Sequence, residues 1–442
     1  MLNCPVKDYG ASGDGIHMDT HAVQAAIDAC AQNGGGRVTL EGGRFLCGMI
    51  QLKSGVELHL ERDAVLLGST NGLDFPEIRS DFWRVEYAPR FNCRCFIYAE
   101  NCEGIAITGH GAIDCQGEAY IEPLPPEQVC LGLWPCRRRR FPEGFDDEGS
   151  RGLTESQRSL CSLSPARVVL FMGCRDVLIE DVCMRNQPAG WSYWISDCEN
   201  VHFHRARIDA PLCYPNNDGI HINCSRDVTV SDCSIRCGDD GIVVRAYSAP
   251  LKAPKPSERV TVSNCNIVSH SAGIRVGWYN DGVIQNCAFS NLTITDSSTG
   301  ISVYLPDTPL NGRGSDEGIE DTNIQNLSFS GILMDRIYNE PVLVRVFERN
   351  RCEGVRDLFF SGIHARSVHS PYSADGKTAG FKIPSSPTAI LRRYAVTRYR
   401  IRKTVRTQAT TNTRLCPAFA AWIISCCRAR FFTYCKLQTF FK

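Results

Sequence analysis

No segment of this 442-residue chain combines the length and apolar character of a membrane-spanning helix. The opening residues Met1 to Asp8 contain no apolar run, so a secretory leader is not predicted there and a cytoplasmic product is expected, or a secreted one if the N-terminus is truncated. Net charge is absent too: 48 basic and 48 acidic side chains cancel, which gives no overall field for a polyanion. The run Arg137 to Arg140 is answered almost at once by Asp146, Asp147 and Glu148, so that charge block reads as solvated loop and no nucleic-acid partner is expected. Paired CxxC motifs and His clusters are missing although the chain has 24 cysteines, which argues against a zinc site, and neither a metal nor a cofactor is expected. Acidic residues are missing altogether from Gly376 to Lys442, where 14 Lys or Arg leave about −14 for residues 1–375. The two parts differ in kind, and 376–442 reads as a basic tail of uncertain structure, outside a single domain at 1–375.

What is present is a repeat. After a turn-rich opening, Asp19 or Thr20 is placed to cap an amphipathic helix whose apolar stripe is Val23, Ala26, Ile27 and Cys30, ended by Asn33 and Gly34. From Val38 to about Arg366 the chain is a series of short β runs separated by Gly, Asn and Asp, with no helical period between them. Ten cysteines directly follow Asn, Asp or Gly, in step with those runs, and read as small, free, buried side chains. Asn264, Asn286, Asn291 and Asn326 fall at turns, where Asn tolerates left-handed geometry and can stack from coil to coil. Short strands without crossover helices fit a parallel β-helix better than a sandwich or barrel, with the first helix covering the open end. Residues 120–166, with Pro123, Pro125 and Pro126, read as a long loop excursion.

Four segments of the repeat rhyme: Asp218-Gly-Ile-His-Ile, Asp240-Gly-Ile-Val-Val, Ala272-Gly-Ile-Arg-Val and Thr299-Gly-Ile-Ser-Val, at separations of 22, 32 and 27 residues. Stacking them one coil apart brings Asp218 to roughly 5 Å from Asp240, with Asp239 beside it. Three acids this close cannot all be charged without mutual repulsion, which drives at least one of them toward its protonated form and points to acid–base chemistry. Because Asp239 and Asp240 are adjacent, an ideal strand would aim them oppositely; Gly238 and Gly241 predict a turn that lets both face one cleft. Alternation puts the column His221, Val243, Arg275, Ser302 on the face opposite the Ile positions. Candidate substrate contacts are Asn216, His221, Arg275, Trp278, Tyr279 and Tyr304. The aromatic members offer faces to sugar rings, Asn216 is placed to orient the acids, and Arg275 is placed to meet a carboxylate.

The opening VKDYGASGDG with AVQAAIDAC and GGGRV, GHGAIDCQG at 109–117, and above all PNNDGIHI at 215–222 with CGDDGIVV at 237–244, resemble the pectin-degrading polygalacturonases and their relatives, glycoside hydrolase family 28. The resemblance covers about residues 6–366. It implies a right-handed parallel β-helix that hydrolyses glycosidic bonds with inversion, in which Asp239 corresponds to the general acid and Asp218 with Asp240 to the pair that activates water. An oligo- or polysaccharide partner, no required cofactor and a monomer are the matching expectations. The chain also departs from the pattern. Where the family carries Gly-His-Gly in the third repeat and Arg-Ile-Lys in the fourth, Ser271-Ala272-Gly273 and Ser302-Val303-Tyr304 stand here, so the cations understood to hold a galacturonate carboxylate are missing. Two other readings stay open: a β-helix lyase or epimerase, which would call for a carboxylate-bound cation and a basic proton acceptor, and a non-catalytic carbohydrate-binding β-helix.

Overall fold

Short apolar strands that repeat at coil length cannot bury their faces singly, and stacking solves this by making each coil the floor of the next. In the computed structural model the described residues are 2–88, 93–123, 137–139, 164–188, 190–214, 216–306, 321–347, 352–367 and the strand Leu391–Lys403. The chain divides into Met1–Thr404 and Val405–Lys442, and all described residues fall in the first unit. They form a right-handed parallel β-helix. One nine-stranded sheet runs along it, made of β1 (Ile50–Gln51), β2 (Cys95–Glu100), β3 (Arg167–Met172), β4 (Trp191–Ser196), β5 (Ile220–Asn223), β6 (Ile242–Arg245), β7 (Ala272–Val276), β8 (Thr299–Leu305) and β9 (Val342–Val346), in chain order. A continuous sheet of twenty strands makes the remaining walls, and the strand Val283–Thr295 pairs with both Ser257–Ser263 and Asn266–Ser269 as it rounds a corner.

The register of the nine-stranded sheet is the one the rhyming segments require. Ile220 pairs with Ile242, Ile242 with Ile274, Ile274 with Ile301 and Ile301 with Val342, all fully buried. The alternate column, Trp194, His221, Val243, Arg275 and Ser302, is in register on the other face. Gly219, Gly241, Gly273 and Gly300 stack beneath it for a steric reason: a Cβ on Gly219 would stand 2.2 Å from the Gly241 carbonyl oxygen, and one on Gly241 would stand 2.6 Å from that of Gly273. Gly241→Ala is therefore expected to lower unfolding stability by about 1–3 kcal/mol, read as a lower urea midpoint at an unchanged m-value; an unchanged midpoint would show that the coils can part there.

Inside, Phe289, Phe329 and Phe360 stack nearly parallel, with centroids 4.8 and 5.0 Å apart, at the spacing of the strands that carry them. At the corners Asn264, Asn286, Asn291 and Asn326 are all left-handed, with φ between 52° and 57°. The Asn291 amide donates to Asn264 Oδ1 (2.7 Å) and that of Asn326 to Asn286 Oδ1 (2.8 Å). The cysteines that follow such residues are explained by the same corner: the thiols of Cys233, Cys265 and Cys287 each donate to the carbonyl two residues back, at 3.2, 3.1 and 3.2 Å. Every cysteine among the described residues is free.

The capping helix runs Thr20–Gln32 and buries Val23, Ala26, Ile27 and Cys30, the expected stripe. Its capping differs from expectation. Asp19 makes no side-chain cap and instead accepts from the backbone N–H of Ser12 (2.6 Å) and Gly13 (3.0 Å), while Thr20 Oγ1 accepts from Gly48 N–H (2.9 Å). The helix is thereby tied to the opening turn and to the coil it covers. Of the excursion expected at 120–166, an antiparallel pair, Ile121–Pro123 with Arg137–Arg139, is described together with the segment's two ends; the rest lies outside the described residues. Within the segment set apart as a tail, Leu391–Lys403 pairs in parallel with Cys352–Ser367 as one more rung of the stack.

Candidate active site

Gly238, Asp239, Asp240 and Gly241 form the bend between Ser234–Cys237 and β6, as the flanking glycines predict. The stack continues through this bend. Gly219 N–H donates to the Asp240 carbonyl (2.8 Å) and Gly241 N–H to that of Ala272 (2.8 Å), so Asp218 and Asp240 occupy equivalent places on adjacent coils. One carboxylate oxygen from each of Asp218, Asp239 and Asp240 lies within 4.8 Å of the others. Among the described residues these three are the group of His, Cys, Asp or Glu side chains close enough to share a cation, and acidic clusters of this kind also occur where acid–base chemistry is done. Asp218 and Asp240 are buried, at 3% and 6% exposure, whereas Asp239 is half-buried.

Each acid has a partner of its own. Asp218 Oδ2 meets His221 Nε2 at 2.8 Å, and the imidazole lies flat against Trp191, centroids 3.8 Å apart and planes 17° from parallel. Asp239 Oδ2 accepts from the Asn216 amide (3.0 Å), and Asp239 Oδ1 accepts from the backbone N–H of Asp240 (3.0 Å). Asn216 reaches it from a left-handed backbone, φ 55°, a geometry that Asn tolerates and most residues do not. Asp240 Oδ1 accepts from Arg275 Nη2 (3.0 Å) and from Ala272 N–H (3.0 Å), and its Oδ2 pairs with Arg275 Nε. Burial pushes the Asp240 carboxyl up, but the charge and hydrogen bonds of Arg275 outweigh it, and the net direction is below the ordinary carboxylate value. Thus the first commitment of Asn216, His221 and Arg275 in this structure is to the three acids themselves.

The aromatic side chains around the site differ in exposure. Tyr193 and Trp194 are core, fully and almost fully buried, and Trp191 is buried under His221. Trp278, Tyr279 and Tyr304 are half-exposed. The Arg275 guanidinium lies over the Trp278 ring at 4.6 Å, and Trp278 meets Tyr304 at 5.2 Å. The turn carrying Trp278 and Tyr279 is fixed by the wholly buried Asp281, which accepts from Trp278 N–H (2.6 Å) and pairs with Arg245 (2.7 Å).

Three features escaped the sequence. Arg345, exposed and in register with Tyr304 one coil further on, lays its guanidinium over Phe347 at 4.2 Å. Arg167 is fully buried between Trp191 and Trp194, at 4.8 and 4.6 Å from their rings. Third, a strap from Asp81 to Ala88 crosses the outer face of the nine-stranded sheet. Trp83 meets Trp194 edge-on at 6.1 Å and donates from Nε1 to Tyr98 Oη (3.1 Å). The far end of the strap is clasped to a later loop: Arg84 N–H donates to the Pro250 carbonyl (2.8 Å), Arg84 Nη2 to that of Leu251 (2.9 Å), and Tyr247 Oη to that of Tyr87 (3.3 Å). The strap covers the coil just before Asp218. An aromatic cage around one buried Arg and an irregular segment folded over a sheet leave no periodic signal in a sequence.

Clustered carboxylates on the outer face of a parallel β-helix, beside a half-exposed aromatic shelf, are an arrangement suited to the hydrolysis of glycosidic bonds. Residues 145–344 match the family Glycosyl hydrolases family 28. A probable polygalacturonase of Vitis vinifera is 27% identical over 412 residues, covering 87% of this chain and 76% of the relative. An exo-poly-alpha-D-galacturonosidase of Dickeya chrysanthemi is 27% identical over 351 residues, covering 75% of this chain and 57% of the relative. Among solved structures, the exopolygalacturonase of Thermotoga maritima superposes with a TM-score of 0.64 at 21% identity, over 91% of this chain and 90% of that one. Over residues 145–344, and in these likenesses, the chain is similar to glycosyl hydrolase family 28.

Proposed function

We propose that this chain removes terminal units from pectin-type acidic oligosaccharides by inverting hydrolysis, with Asp239 protonating the leaving oxygen while Asp218 and Asp240 activate water. The observation that carries the reading is the convergence of these three carboxylates on adjacent coils, since inversion needs one carboxyl that gives a proton and one carboxylate that takes a proton from water. The direct contacts support the division: Asp240 is paired with the Arg275 guanidinium and held anionic by it, and Asp239 accepts from the neutral Asn216 amide. Trp278 and Tyr304 offer stacking faces, Tyr279 lies beside them, and the exposed Arg345 supplies a cation for a substrate carboxylate in place of those missing from the fourth repeat. The polygalacturonase and exo-acting names of the relatives support the substrate class and the mode.

Terminal attack is supported by the strap. With the sheet face covered by Trp83 one coil before Asp218, a chain of sugars running along the sheet would meet a wall on that side of the acids. Oligogalacturonates are therefore expected to give single sugar units from the first minutes, with no intermediate-length products, as followed by anion-exchange chromatography; a ladder of mid-length fragments would overturn terminal attack. One observation favours a different stereochemistry. Oxygens within 4.8 Å of one another are nearer the ~5–5.5 Å carboxyl separation of retaining enzymes than the ~6.5–9.5 Å of inverting ones. Proton NMR of the anomeric signal during the first turnovers decides between them: a product of inverted configuration supports the proposal, and a retained one overturns it.

A further inference from the structure

The outward column of the nine-stranded sheet contributes two polar side chains beside the acids, and each goes to a different one. Arg275 turns back one coil to Asp240, and His221 turns back three residues along the chain to Asp218, just before its strand. We propose that His221 is the positioning residue of Asp218: its Nε2–H fixes the orientation of that carboxylate and favours its unprotonated form, so that it can take a proton from the attacking water. The inference rests on the hydrolytic reading above and extends it, because that reading assigns Asp218 a share in activating water and leaves open what orients it.

The geometry is that of a built contact. Imidazole and carboxylate are both about one-twentieth exposed, at 6% and 5% for the side chains, so the hydrogen bond acts where water screens little. The ring cannot swing away easily, since Trp191 lies parallel to it at 3.8 Å, and Trp191 is itself held edge-on by Trp194 at 6.1 Å and backed by the Arg167 guanidinium at 4.8 Å. The groups around His221 are Asp218 three residues back along the chain, Arg167 beyond Trp191 on the preceding coils, the apolar Val243 in register on the following coil, and Asp239, Asp240, Arg275 and the Cys237 thiol at the acid cluster. In this arrangement Asp218 and Asp240 each meet a nitrogen that can carry positive charge, on His221 and Arg275. The third repeat has Ala272 at the head of its strand, and its backbone N–H serves Asp240.

The test uses the full chain and two opposed substitutions. His221→Gln keeps a side-chain N–H donor and loses the ring, while His221→Phe keeps a ring against Trp191 and loses the donor. With oligogalacturonate as substrate, kcat of His221→Phe is expected to fall by roughly 10²-fold, the scale at which a misplaced catalytic group shows, with KM changed less than about twofold, the signature of an interaction made in the transition state. The acidic limb of its kcat/KM profile should move to higher pH, because a carboxylate without its donor protonates more readily. His221→Gln should recover part of kcat and of the limb. Parental kcat and limb in His221→Phe, or a Phe variant as active as or more active than the Gln variant, would overturn the proposal, as would a rise in KM alone, which would make His221 a ground-state substrate contact. Asp239→Asn run alongside separates the two levels. If it is inactive while both His221 variants match the parent, only the positioning role falls; if it is as active as the parent, the hydrolytic assignment and this inference fall together.

Discussion

Asp239→Asn is expected to reduce hydrolysis by roughly 10²–10⁴-fold, the usual contribution of a positioned general acid, while the protein keeps its fold. The substitution is nearly isosteric, and its structural effect can be followed atom by atom. Asp239 Oδ2 accepts from Asn216 and Oδ1 from the backbone N–H of Asp240. An amide keeps one acceptor oxygen and turns the other position into a donor, so one of these two bonds is lost, at about 1 kcal/mol. A half-buried site lets water replace the lost partner. Chemistry has no such substitute, because a carboxamide does not give up a proton at a pH where the leaving oxygen needs one. Initial rates on oligogalacturonate by reducing-end assay, with circular dichroism as the fold control, check the prediction; activity within tenfold of the parent would remove Asp239 from the role of acid.

Arg275→Met is expected to lose both activity and stability, because it takes away the cation that makes a buried carboxylate tolerable. Arg275 and Asp240 are 15% and 9% exposed at their side chains, and removing one partner of a buried pair costs about 3–5 kcal/mol, since the remaining charge is left unpaired. The dependence on pH follows from the direction of the Asp240 shift. A carboxyl lowered in the folded state contributes stability above its unfolded value, ~3.9, and that contribution is lost as pH falls through the folded value. In the variant, burial pushes Asp240 up, opposed by the hydrogen bonds from Ser271 and Ala272 N–H and no longer by the Arg275 charge. The parent should therefore exceed the variant most clearly near pH 7, and the gap should narrow toward pH 3, where the variant's Asp240 is neutral and needs no cation. Urea melts at pH 7 and pH 4 measure this, and a gap that widened on acidification would show that Arg275 serves some group other than Asp240.

Much of the site could be located from the residues. Separations of 22, 32 and 27 residues between the rhyming segments are the register of β5 to β8, because in a solenoid the repeat length and the strand pairing are the same quantity. The turn at Gly238 to Gly241 followed from the adjacency of Asp239 and Asp240, and the asparagine ladder from the left-handed tolerance of Asn. Arg275 shows where that reasoning stopped. Its column and its outward face were legible, but a guanidinium is long enough to reach a substrate or a neighbouring coil, and the buried Asp240 one step away decided the matter. Trp191 likewise stands beside the motif in sequence, yet its ring is covered by His221.

The sequence by itself determined the repeat, the faces of the strands and the meeting of Asp218, Asp239 and Asp240, since all three depend on local periodicity and on steric rules that hold in any coil, including the glycine column that admits no Cβ. Only the tertiary structure decided which partner each acid receives, and that the strap from Asp81 to Ala88 walls the sheet one coil before them. Those choices are made by side chains and irregular segments that meet from distant parts of the chain, Arg84 with Leu251 and Trp83 with Trp194, and no period records such meetings.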